Sequence, residues 1–162
     1  MLTVERLKAL LTYDPDAGRF FWKASPRRRA IDGEAGTVNT GGYRQICIDQ
    51  KIYKAHRLAW FYAYGVWPKN QIDHINGQRD DNRLGNLREA DFSQNQANAK
   101  KRALSENPAK GVTLHKASGL WNARVTKGRR VVYCEYFSSI DDAKSAYKEN
   151  AEKYFGVFAR SG

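Results

Sequence analysis

Cysteine is nearly absent from this chain: Cys47 and Cys134 are the only two in 162 residues. No CxxC spacing is present to hold zinc or to cycle as a redox pair. Each lies in an apolar stretch, so both are expected to be buried thiols. Long apolar runs are missing as well. Nothing approaches the roughly 20 residues that a membrane-spanning helix needs, and the first residues form a short amphipathic stretch rather than the apolar core of a signal peptide. The expectation is a soluble, intracellular, cytoplasmic protein without membrane partners. Negative charge is scarce too. Seventeen Asp and Glu against 28 Lys and Arg leave a net charge of +11, which points to a polyanionic partner, nucleic acid first. Internal repeats are also lacking. Aromatic residues, by contrast, are plentiful, with four Trp, nine Tyr and seven Phe, enough bulky surface for compact modules.

The pattern along the chain predicts several short elements rather than one long one. Thr3 can cap a helix whose Leu7, Leu10 and Leu11 share a face. Turn residues at Asp14-Pro15 and Ala17-Gly18 precede a strand over residues 19–22, and Arg27-Arg28-Arg29 forms a basic loop. Gly41-Gly42 makes a turn, residues 43–48 alternate, and Asp49-Gln50 turns the chain into residues 51–54, which reads as a hairpin. Residues 55–64 switch to helical periodicity and stop at Gly65 and Pro68. A polar break near residues 100–110 reads as a linker. Beyond it, three strand-like runs over residues 111–137 lead into a helix opened by Ser139, Asp141 and Asp142. The fold class expected is α+β, in a small multi-module chain: a β-rich region over residues 1–54, a module over 55–104 and a second module over 108–162.

The densest chemistry lies at Gln71-Ile72-Asp73-His74-Ile75-Asn76-Gly77, continues through Asp81-Asn82-Arg83 and Asn86-Leu87-Arg88, and ends at Ser93-Gln94-Asn95. Ile72 and Ile75 bracket a strand, Asn76-Gly77 is a turn, and residues 91–101 read as a polar helix. A hairpin and helix of this kind can bring Asp73 and His74 to Asn95. Asp73 and Asn95 supply hard oxygen donors for one divalent ion, Mg²⁺ first and Mn²⁺ or another divalent ion as alternatives. His74 is then a general base, since an imidazole titrates near neutrality. Asn86 would pin the loop. Asn98, one turn beyond Asn95, is the alternative helix ligand, while Asn76 and Asn82 are foremost good turn residues. His56 reads as a packed structural histidine and Arg57 as a phosphate contact.

The stretch from His56 to Asn98, with His56-Arg57-Leu58-Ala59-Trp60 and the segments just quoted, resembles the HNH homing endonucleases of phages and introns. That resemblance implies a ββα-metal nuclease with Asp73 and Asn95 as metal ligands, His74 as base and Asn86 as the steadying residue. It implies a phage or bacterial host setting. The chain lacks the cysteine pairs of zinc-stapled members, so packing alone must hold the scaffold. From Pro108 to Arg160, the residues Gly111-Val112, Trp121-Asn122-Ala123-Arg124-Val125, Tyr136-Phe137, Asp142-Ala143, Ala146-Tyr147 and Phe155-Gly156 resemble the Apetala-type DNA-binding domain of ethylene response factors. That family lays a three-stranded antiparallel sheet, backed by one helix, into the major groove. Residues 13–54 look like the β-rich segment that helps place DNA in such enzymes.

Alternation assigns the faces of that sheet. Trp121, Ala123 and Val125 should meet the helix; Asn122, Arg124 and Thr126 should face outward, joined by Thr113, His115 and Tyr133, with Lys116, Lys127, Arg129 and Arg130 at the turns. Between Glu106 and Glu135 the sequence has six basic residues and no acidic one, a phosphate-seeking composition. Arg124 is the first choice for reading guanine and Asn122 for adenine. The function expected is a site-specific endonuclease on double-stranded DNA, needing no small-molecule cofactor. It is expected to act as a monomer, a dimer being the alternative, and one active centre per chain points to nicking, or to a double-strand break by sequential or paired action. The rival is a sequence-specific DNA-binding regulator with an inactive core. An RNA-binding accessory protein would need stacking platforms for single strands, and none is evident.

Overall fold

The computed structural model describes residues 2–23, 33–100 and 107–160. The Arg27–Arg29 run and most of the expected linker, residues 101–106, lie outside them. The chain is mixed α+β and divides into two compact units, Met1–Glu89 and Ala90–Gly162. The division falls inside the stretch expected to form the nuclease module. Among the described residues no helix is long and apolar enough to cross a membrane.

The first unit opens with α1 (Val4–Leu10), whose Thr3 side chain accepts from the Arg6 amide at 3.2 Å. The helix stops because Leu11 is extended and starts β1 (Leu11–Asp14), paired antiparallel with β2 (Arg19–Trp22). The register places Tyr13 opposite Phe20, and Leu11, Tyr13 and Phe20 all enter the core. Gly18, at φ 69°, closes the turn between them; a Cβ there would collide with the backbone of Asn82 and Arg83. Thus a turn near the N-terminus abuts the loop that carries the candidate chemistry, and only glycine permits the approach.

A three-stranded antiparallel sheet follows, with β3 (Thr37–Val38), β4 (Arg44–Ile48) and β5 (Lys51–Lys54) in that order. Asp49 and Gln50 make the β4–β5 turn with φ of 47° and 65°, the left-handed pair that matches strand twist in a two-residue hairpin. Along β4, Ile46 and Ile48 point inward, and Cys47 between them is exposed. Cys134 is exposed too. The expectation of buried thiols fails at Cys47 because the side-chain period of a strand is two: buried Ile46 and Ile48 on either side put the cysteine on the opposite face.

Helix α2 (Ala55–Tyr64) leaves β5 directly, buries Ala55, Leu58, Ala59 and Phe61, and ends at Gly65 in the left-handed conformation. Its apolar face shares one core with Leu7, Leu11, Phe20, Ile46 and Ile48, and with Ile72 and Leu87. Those last two lie on β6 (Gln71–His74) and β7 (Leu87–Ala90), which form a two-stranded sheet. The residues before 55 and the Asp73–His74 strand are therefore parts of one packed body.

The second unit begins with α3 (Phe92–Asn98), started by a capping box in which Asp91 and Gln94 bond each other's backbone. The strands β8 (Val112–His115), β9 (Leu120–Lys127) and β10 (Arg130–Phe137) form an antiparallel sheet in the order β10-β9-β8. Ser139 caps α4 (Ile140–Phe155), which lays Ala143, Tyr147 and Ala151 against Val112, Ala123 and Val125. Alanines on the helix let its backbone come close to the sheet.

Candidate active site

Strand β6 ends in two buried polar residues, Asp73 at 4% and His74 at 5% exposure. Burying such groups is costly unless each is bonded. Arg88, on the neighbouring β7, answers Asp73 with Nε and Nη2 both 2.9 Å from Oδ2. His74 places Nε2 3.3 Å from the Oδ1 of Asn82, which is wholly buried. The orientation of that amide follows from its other end, since Asn82 Nδ2 donates to the Asp80 carbonyl at 3.2 Å. Oδ1 is thus the atom turned to His74, which assigns the imidazole proton to Nε2 and the basic lone pair to Nδ1. Burial holds the His74 pKa below its ordinary value, partly opposed by the bond to Asn82, so the ring is neutral at pH 7.

The loop after β6 is pinned at many points. Asn86 closes it: its Oδ1 accepts from the Asn76 amide at 3.0 Å, and its Nδ2 donates to Asn76 Oδ1 and to the Asp81 carbonyl at 3.1 and 2.8 Å. Its own carbonyl accepts from Ile75 N at 2.9 Å. Asn76 also donates to Asp81 Oδ2 at 2.6 Å. The bond to Arg83, with that to Asn76, holds the Asp81 carboxyl down at about 2. The N-terminal elements add their own ties. Tyr13 donates its hydroxyl to the Asn82 carbonyl at 2.7 Å, and Asp80 takes Arg19 Nη1 at 2.9 Å and Arg44 Nε at 2.8 Å.

Behind His74 lies a wall of rings. His56, from the first turn of α2, meets it edge-on at 5.0 Å between centroids, and Tyr43 lies 5.4 Å from His56 and 6.0 Å from His74. Lys54 and Arg79 each sit over the Tyr43 ring, 4.7 and 5.1 Å from its centroid. His56 is buried, with no hydrogen-bond partner on Nδ1 among the described residues. Burial, then the charges of His74, Lys54 and Arg57, push its pKa down from 6.5 to about 3. The unfolded chain therefore binds the extra proton between about pH 6.5 and 3, and stability falls as pH drops through that window. The urea midpoint of the wild type should fall more from pH 7 to pH 4 than that of His56→Phe. An equal fall in both would show that His56 carries none of the acid sensitivity.

The other expected site residues take varied places. Asn95 is half-buried in the middle of α3 and Asn98 buried at its end, both in the second unit. Arg57 donates to the carbonyls of Asn70 and Pro68 at 3.2 and 3.3 Å, so it also ties α2 to the loop before β6. On the C-terminal sheet, His115, Lys116, Arg124, Thr126, Arg129 and Arg130 are exposed and Thr113 is half-buried. Asn122 departs from the expected exposed position: it is 8% exposed, its amide donating to Cys134 Sγ at 3.1 Å and to the Glu135 carbonyl at 3.4 Å. Tyr133 departs as well. A register shift between Val131 and Tyr133 sets Tyr133 opposite Val125, on the face packed by α4, because a bulge adds one residue and turns the side chains after it to the other face. Lys127 donates to the Tyr154 carbonyl at 2.9 Å, at the end of α4.

Sequence reasoning left out three residues that matter here. Arg88 was visible only as part of a motif, and its pairing with Asp73 comes from strand adjacency. Asn82 has the properties of a turn residue, with nothing local to mark it as the partner of His74. Tyr136, half exposed and edge-on to His115 at 5.6 Å, takes the outward place expected of Tyr133.

Residues 53–97 match the family model described as HNH endonuclease. That stretch takes in α2, β6, the pinned loop and α3 as far as Ala97, so it includes Asp73, His74, Asn86 and Asn95 and stops before Asn98. No solved structure matches the chain. The match supports a nuclease-type hydrolase for this part of the chain. A divalent cation fits the HNH stretch in a restricted sense. Among the described residues no group of three or more His, Cys, Asp and Glu could hold a metal. A buried carboxylate held by Arg88 is the kind of oxygen donor that suits a hard ion keeping much of its shell from water and phosphate.

Proposed function

We propose that this protein is a metal-dependent endonuclease that hydrolyses phosphodiester bonds in duplex DNA. The observation that carries the reading is the buried, neutral His74 beside Asp73, oriented by Asn82 on a loop that Asn86 pins, all inside the HNH match. His74 takes a proton from water as the water oxygen bonds to phosphorus; the bond to the leaving sugar oxygen breaks, and its electron pair stays on that oxygen, which solvent protonates. Asn82 Oδ1 then accepts from the imidazolium and steadies it. Asp73 and Asn95 are the proposed ligands of the divalent ion, Mg²⁺ first, and the end of the matched stretch favours Asn95 over Asn98. When bound, such an ion stabilises charge on the phosphate and on the leaving oxygen.

Duplex DNA is engaged, on this reading, by the N-terminal region and by the outer face and turns of the C-terminal sheet. Thr113, His115, Lys116, Arg124, Thr126, Arg129 and Arg130 remain contact candidates there. Asn122, Tyr133 and Lys127 are weaker ones, being occupied inside the unit. A single base in each chain cuts one strand per encounter. In a time course on supercoiled plasmid with Mg²⁺, nicked circles should accumulate before any linear product. Linear DNA without a nicked intermediate would contradict the single centre.

A further inference from the structure

The loop between β6 and β7 spends its carboxylates on other partners. Asp80 takes Arg19 Nη1 at 2.9 Å and Arg44 Nε at 2.8 Å, and Asp81 takes Arg83 Nη2 at 2.7 Å. Arg79, next to them in sequence, is exposed and forms no ion pair among the described residues; the same holds for Lys54 at the end of β5. Both rest on one ring. Asn39 Oδ1 accepts from the amides of Gly41 and Tyr43, each at 3.0 Å, which fixes the turn before β4. The Gly41 carbonyl accepts from Arg79 Nη1 at 2.9 Å, and the Tyr43 ring has Arg79 at 5.1 Å and Lys54 at 4.7 Å from its centroid. A guanidinium carries five N–H donors, and among the described residues Arg79 uses them for that one hydrogen bond. The same ring lies 6.0 Å from that of His74 and 5.4 Å from that of His56. Both charges are felt there: after burial, Arg79 helps to lower the His74 pKa, and Lys54, after burial and His74, that of His56. All of these residues belong to the first unit.

We propose that Arg79 and Lys54 bind backbone phosphates of the strand that is cut: seated on Tyr43, they hold that strand beside His74. The inference rests on the nuclease reading given above. A cation that is exposed, unpaired and already placed loses little on meeting a phosphate, because no ion pair has to break and the turn has fixed the guanidinium beforehand. Arginine can also take a phosphate through two parallel bonds. The arginines that tie the first unit together sit instead on carboxylates, as Arg19, Arg44, Arg83 and Arg88 do. Phosphate contacts carry no sequence information, so this pair positions the strand and leaves the choice of site to other residues.

The test reads the affinity of the full chain for a short DNA duplex under chelation, over a range of salt concentrations. Arg79→Gln and Lys54→Gln should each make the plot of log affinity against log salt shallower by about one, equally on duplexes of unrelated sequence. Both side chains are exposed, so neither substitution empties a core. Arg79→Lys, which keeps the charge, should retain most of the slope. Lys8→Gln removes the same charge from a cation lying over Tyr62 instead, 5.2 Å from its centroid, and should match the wild type. An unchanged slope in either Gln variant, or an equal change in Lys8→Gln, overturns the proposal. Single-turnover nicking with Mg²⁺ at saturating protein places the contact. Arg79→Gln should be slower there on the order of 10²-fold, the cost of a misplaced substrate; a wild-type rate would put the phosphate away from His74 and overturn the proposal too. A wild type that binds DNA without nicking it removes the nuclease reading and the placement beside His74 with it, whereas the slope still decides the phosphate contact.

Discussion

Replacing His74 by Ala is expected to slow single-turnover nicking by about 10²–10⁴-fold, the range over which a positioned general base contributes, with DNA affinity unchanged. The size follows from how completely the structure prepares this one ring. Burial keeps it neutral, the Asn82 amide assigns its tautomer, and His56 and Tyr43 restrict its tilt. The contact candidates on the C-terminal sheet keep their side chains in this variant, so binding has no reason to change. His74→Gln keeps polarity and approximate bulk without a base of useful pKa, and should be as inactive as His74→Ala if chemistry is what is lost. Recovery of rate in His74→Gln would assign the residue a packing role instead.

Arg88→Met should produce the largest loss of stability. The guanidinium and the Asp73 carboxylate are both well buried, with side-chain exposures of 16% and 5%. Removing one member of such a pair costs about 3–5 kcal/mol, because the remaining charge keeps its desolvation penalty. For a unit of this size the melting midpoint should fall by at least roughly 10 °C. The variant should also gain more from added Mn²⁺ than the wild type does, since in the wild type Arg88 already neutralises Asp73. Thermal melts of both proteins with and without Mn²⁺ measure the two effects together. A variant that melts near the wild type would show that the pair is not a structural tie.

Local pattern carried much of this molecule. The Thr3 cap, the Asp49-Gln50 turn, the Gly65 stop of α2 and the Ser139 start of α4 are each written in a few adjacent residues, and each stands where the sequence placed it. The α+β class follows from those elements. Long-range partners were not legible in the same way. Asn82 and His74 are eight residues apart and Arg88 and Asp73 fifteen, and nothing in their spacing says that a strand pairing and a folded loop will join them. Tyr133 was misplaced because the Val131-Val132-Tyr133 run gives no sign of the bulge within it. Asn122 does obey the alternation of its strand, yet Cys134 and the Glu135 carbonyl take up its amide. Outward-facing on a strand and exposed to a ligand are different properties. Cys47 makes the same point in reverse, for Ile46 and Ile48 enter the core and leave the residue between them in solvent.

Metal-dependent cleavage is read from the initial rate of nicking of supercoiled plasmid by the wild-type protein with Mg²⁺ or Mn²⁺, set against the same reaction in chelator. Nicked circles are expected with the ion and none above background in chelator. Equal rates in the two, or no cleavage with either ion by a protein that binds the plasmid, would contradict that expectation.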